Sequence, residues 1–122
     1  MLFHVALWIE AVYYFVTGMW GLIDIKSFMK VTGPKTDLWL VKTVALLLIT
    51  ASFSFAVALA TNTFHWPVAV LAACYNPSLA YIDFYYAEKK VISPVYIMDG
   101  IVELMFVLTW IMIMWQQRSS NV

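Results

Sequence analysis

Four long apolar stretches alternate with short polar ones along the chain. They run from about Leu2 to Ile23, Leu38 to Ala60, Pro67 to Ala87 and Pro94 to Trp115. At a helical rise of about 1.5 Å per residue, crossing the hydrocarbon of a bilayer takes about 20 apolar residues, and each stretch meets that length. The pattern predicts an all-α fold: an integral membrane four-helix bundle in up-down-up-down order, with short loops, forming a single domain over residues 1–122. The start of the chain has neither a basic n-region nor a small-residue cleavage site, so it is expected to be a retained first span.

Each span also carries polar residues at helical spacing. In the first, Glu10, Tyr13 or Tyr14, Thr17, Gly21 and Asp24 share one stripe, as when a helix turns its polar side toward a bundle interior. Gly18 and Gly21 are placed to let a neighbouring backbone come close. Thr43, Thr50, Ser54 and Thr61 form a mild stripe on the second span, expected to be a hydrogen-bonding seam. The third puts Ala69, Ala73, Asn76, Ala80, Asp83 and Ala87 on one small, polar face, and Pro77 is expected to kink it and free a carbonyl near Ala73. Asp99 and Glu103 lie one turn apart on the fourth.

Between the first two spans, Asp24 to Asp37 is the longest polar segment, with a turn at Gly33-Pro34. Its Ile25, Phe28, Met29 and Val31 predict a short amphipathic helix at the interface. Asp37 and Ser93 are expected to cap the second and fourth spans, with Pro67 and Pro94 in first turns. The loop at Thr61–Trp66 is short, and Gln116 to Val122 reads as a polar tail.

Composition agrees with the pattern: 64% hydrophobic, 11% charged, and a mean hydropathy of +0.84, far from the roughly 25% charged residues of a soluble domain. Zero net charge removes any broad electrostatic case for nucleic acid. Lys26, Lys30, Lys35, Lys42, Lys89 and Lys90 all belong to the first-second and third-fourth connections or their helix ends, leaving only Arg118 on the other side. The positive-inside rule then places those connections in the cytoplasm and both termini outside. Trp20 and Trp39 fall at the cytoplasmic edge, Trp66 and Trp115 at the outer one. Cys74 is alone, so neither an intrachain disulfide nor a cysteine metal site is available. His4 and His65 read as interfacial, with no third ligand at suitable spacing. No hydrolase, haem, redox or nucleotide motif is present, and no cofactor is implied.

Depth along the helices turns these positions into a candidate site. Lys42, Asp83 and Asp99 lie roughly 6 to 8 Å from the cytoplasmic ends, Glu103 and Tyr14 at about 13 Å, and Asn76 and Glu10 deeper. The expectation is a funnel with Asp83, Asp99 and Lys42 at its mouth, Glu103 and Tyr14 in the middle, and Asn76 and Glu10 at its floor. Carboxylates around one lysine cannot all ionise comfortably in low dielectric. Such a site suits an amine-bearing lipophile, a proton relay or general-acid chemistry; Tyr75, Tyr81, Tyr85, Tyr86 and Tyr96 would suit a flat apolar or cationic ligand. The plainer expectation is a set of interhelical ties: Lys42 paired with Asp99 or Asp83, and Asn76 bonded across helices.

With a glycine-containing first span (YYFVTGMWGL), a polar GPKTD connection and three further spans, the chain resembles the small DoxX-like four-span bacterial membrane proteins. That resemblance implies a bacterial inner membrane and carries no functional residue with it. By position in the bundle, Glu103, Asp99 and Glu10 are similar to the intramembrane acids of the four-helix sterol-isomerase and sigma-2-receptor superfamily, which hold amine-bearing or sterol-like molecules. The expected function is therefore non-catalytic: membrane lipid as solvent, and an acid-lined cavity for a small lipophilic or cationic molecule. The alternatives are an accessory or scaffold subunit of a homo-oligomer or larger membrane complex, and an acid-catalysed isomerase-like enzyme.

Overall fold

The computed structural model describes residues 2–61 and 63–120. The expected loop therefore contains one residue, Asn62, outside the described residues, and the expected tail two, Asn121 and Val122. Five helices make up the described fold: α1 (Leu2–Ile23), α2 (Ile25–Thr32), α3 (Leu38–Thr61), α4 (Trp66–Glu88) and α5 (Val95–Ser120). Helix α5 continues past Trp115 through Gln116–Ser120, where Arg118 in the last turn suits the negative end of the helix dipole.

Three helices, α1, α3 and α5, are long and apolar enough to cross a membrane, which marks the chain as a membrane protein. Helix α4 has a similar length, but Asn76, Pro77, Ser78, Asp83 and its tyrosines lower its hydropathy. Outward faces carry large apolar side chains such as Trp8, Val16, Phe53, Val57, Met105 and Leu108. Lipid tails, which offer no hydrogen bonds, accept such a surface where water would not.

The short helix α2 explains how the chain leaves α1. Asp24 caps it, its side chain accepting from the Ser27 N–H at 3.2 Å. Trp20 donates its indole N–H to Ser27 Oγ at 3.1 Å, and its ring meets Phe28 edge-on. The helix thus lies with Phe28 inward and Lys26 and Lys30 outward. It stops at Gly33, whose φ of +99° is a conformation that side chains with a Cβ rarely tolerate. At the start of α5, Ser93 Oγ accepts from the Val95 N–H at 3.4 Å.

Helix α1 packs along α3 and α4 along α5, with narrower contacts between α1 and α5 and between α3 and α4. Missing side chains permit both close pairings. A Cβ at Gly18 would stand 2.7 Å from the Ala45 carbonyl oxygen, and one at Gly100 would stand 2.8 Å from the Phe84 ring. Buried positions repeat at three- and four-residue intervals: Leu7, Glu10, Tyr14 and Gly18 on α1; Ala45, Ile49, Ser52, Phe55 and Ala58 on α3; Gly100, Glu103, Phe106, Trp110 and Ile113 on α5. On α4 the seam is Ala69, Ala72, Asn76, Ala80, Asp83 and Ala87; Ala72 is buried where Ala73 was expected.

The hydroxyl stripe of α3 is a correction. Thr43, Thr50 and Thr61 face outward, and each bonds back to its own helix, at the carbonyls of Trp39, Leu47 and Ala58. A short hydroxyl side chain reaches a carbonyl three or four residues back, so in an apolar setting it needs no partner helix. The seam of α3 is made of small and apolar residues instead.

Candidate functional site

Three helices deliver polar side chains to one interior line. On α1, Glu10 and Tyr14 are a turn apart on the buried stripe, with Tyr13 at its edge. On α4, Asn76 and Asp83 are two turns apart on the small-residue seam. On α5, Asp99, Glu103 and Trp110 follow the same four-three-four rhythm as Phe106 and Ile113.

At the centre stands the Tyr14 hydroxyl, 2.6 Å from Asn76 Oδ1 and 2.9 Å from Glu103 Oε2. Trp110 donates its indole N–H to Glu10 Oε2 at 2.5 Å, and Asn76 and Tyr14 also stand beside Glu10. Toward the α4–α5 connection, Tyr13 donates to Asp99 Oδ1, and the Asp99 carboxyl lies close enough to Asp83 to act on it. Glu103 feels Asp99, Glu10 and Asp83 electrostatically. Four carboxyls, two tyrosines, an asparagine and a tryptophan therefore form one connected line.

Among the described residues, the side chains that act on Asp83 and Glu103 are other acids and Tyr14. The expected place of Lys42 among the acids is thus corrected: it is exposed on α3. A long methylene stem near a helix end lets the ammonium reach water, which costs less than entering the interior. The open funnel is corrected too. Glu10 and Asn76 are fully buried, Tyr14 and Glu103 nearly so, and aromatic rings close around them, with Tyr14 against Phe55, Tyr75 and Phe106. Asp83 is buried, and Asp99 and Tyr13 are the half-buried members of the line.

The other tyrosines, expected to suit a flat apolar or cationic ligand, lie in different surroundings. Tyr75 is half-buried beside Tyr14. Tyr81, Tyr85 and Tyr86 face outward, where Tyr81 stacks on Tyr85. Tyr96 lies under the Lys35 ammonium, 5.0 Å from its ring centre. His65 bonds to the hydroxyls of Thr61 and Thr63 near the α3–α4 connection. Among the described residues, no three His, Cys, Asp or Glu side chains stand close enough to hold a metal ion.

Trp110, the donor to Glu10, escaped the sequence expectation, and Tyr13, placed on the polar stripe as an alternative to Tyr14, was not paired with Asp99 there. Their signal was present. Trp110 lies seven residues beyond Glu103, two turns along the same face, and Tyr13 is three residues beyond Glu10.

Among the described residues, three buried polar side-chain atoms make no hydrogen bond with the protein: Glu10 Oε1, Asn76 Nδ2 and Asp83 Oδ2. Buried groups of this kind are rarely left without a partner. Their presence together on one line gives the interior capacity for a further proton or a polar ligand atom. The chain matches no family model, no curated protein and no solved structure.

Proposed function

We propose that the chain is a four-span integral membrane protein, an up-down-up-down bundle with its basic connections on the cytoplasmic side, which binds a small amine-bearing lipophile at its acidic interior. The observation that carries this reading is the closeness of Asp83 and Asp99 on two helices, with Glu103 beyond them and, among the described residues, other acids and Tyr14 as the side chains acting on Asp83 and Glu103. Two carboxyls in contact repel unless they share a proton or hold a cation between them. An ammonium group supplies the charge and up to three donors, and Asp83 Oδ2 is an acceptor without a protein partner.

The surroundings suit the rest of such a ligand. A groove of about 450 Å³ runs between α4 and α5, lined by residues that include Ala80, Phe84, Leu104 and Val107. The likeness to the sterol-isomerase and sigma-2-receptor superfamily points to the same ligand class.

Dodecylamine and dodecanol, matched in tail and different in charge, separate this reading from simple partitioning into apolar surface. Titrated calorimetrically into the detergent-solubilised protein, dodecylamine is expected to bind saturably and dodecanol not. Asp83→Asn and Asp99→Asn should each weaken dodecylamine at least tenfold. Glu103→Gln should also weaken it while leaving the fold intact. Equal binding of the two probes, or undiminished binding by both aspartate variants, would contradict the proposal.

A further inference from the structure

We infer that Glu10 and Glu103 form one proton-binding site that holds a single proton between them, with Tyr14 and Asn76 deciding which carboxyl carries it. The inference comes from counting hydrogens. Tyr14 has one hydroxyl proton and two oxygen neighbours, Asn76 Oδ1 at 2.6 Å and Glu103 Oε2 at 2.9 Å. It can donate to only one of them. If it donates to Asn76, the contact with Glu103 is a hydrogen bond only when Glu103 carries a proton and donates it to the tyrosine oxygen. Asn76 then turns its Nδ2 donor to Glu10, which is ionised and also accepts from Trp110.

Turning the Asn76 amide over gives the second arrangement. Its Nδ2 donates to Tyr14, Tyr14 donates to an ionised Glu103, and Asn76 Oδ1 now faces Glu10, which must carry the proton. Passing from the first to the second releases one proton at Glu103 and takes up one at Glu10; no other covalent bond changes. With no proton, one acceptor faces another. With two, the Glu10 O–H joins the Trp110 and Asn76 donors.

The unsatisfied atoms lie where this switch needs them. Glu10 Oε1 and Asn76 Nδ2 are buried without hydrogen bonds, in side chains that are fully enclosed and adjacent. The charged and titratable groups facing the pair include Asp99 from α5, Asp83 from α4, and Tyr13 and Tyr14 from α1; α3 presents Phe55, which does not titrate.

Infrared spectroscopy of protein labelled with 13C-glutamate counts the protons directly, because the label moves glutamate bands away from those of aspartate. The chain has three glutamates; Glu88 is exposed, and Glu88→Gln removes it from the count. In Glu88→Gln protein at neutral pH, the labelled protonated-carboxyl band should correspond to one glutamate, on a plateau spanning about two pH units or more, as for a strongly coupled pair. Asn76→Leu and Tyr14→Phe should shorten that plateau. A band corresponding to none or two glutamates at neutral pH overturns the inference, as does a plateau that neither variant alters. The count is made without added amine, so its result is independent of dodecylamine binding.

Discussion

The hydroxyls of helix α3 and the side chains of the acidic line satisfy their polar atoms in opposite ways. On α3, Thr43, Thr50, Ser52 and Thr61 all return their hydroxyls to carbonyls of their own helix. On α1, α4 and α5, polar side chains reach across: Tyr14 to Asn76 and Glu103, Tyr13 to Asp99, Trp110 to Glu10. The difference is chemical. A hydroxyl both donates and accepts and reaches the preceding turn, whereas an ionised carboxylate only accepts, and the N–H groups of its own helix are already engaged. In an apolar setting a hydroxyl can be satisfied alone, but a carboxyl must find another helix or a proton.

That contrast fixes the expected order of mutational effects, measured as unfolding free energy in mixed micelles. Trp110→Ala should have the largest, about 3–5 kcal/mol, because it empties a fully buried site and strips Glu10 of its donor. Tyr14→Phe keeps the ring and removes only the central hydroxyl, which should cost about 1–3 kcal/mol. At the small end, Thr50→Val should change stability by no more than about 0.5 kcal/mol, since its hydroxyl serves only its own helix. A cost for Thr50→Val equal to that of Tyr14→Phe would break the contrast. Lys42→Ala should leave unfolding unchanged; a clear loss would restore lysine to the acidic group.

Much of the helical layout was legible because it depends on periodicity and length. The stretch at Leu2–Ile23 coincides with α1, and Ile25, Phe28 and Met29 announced α2. Glu10, Tyr14, Asn76 and Glu103 were legible as interior groups, since each is a polar residue on a seam where lipid would not accept it. What sequence could not supply was direction beyond the helix. Depth put Lys42 level with Asp83, yet depth says nothing about whether a long stem bends inward or out to water. Depth also suggested an open funnel, whereas Phe55, Tyr75 and Phe106 pack around Tyr14. Partners were hardest. Trp110 was not singled out, because a tryptophan on an apolar helix has the same local pattern whether it faces lipid or donates to an acid such as Glu10.

The convergence of α1, α4 and α5 on one polar line is tested most directly by a double-mutant cycle between Tyr14→Phe and Glu103→Gln. Groups that share a hydrogen bond should couple, with an interaction energy of about 1 kcal/mol or more. Additivity within about 0.3 kcal/mol would show that the two side chains do not meet and would contradict the account.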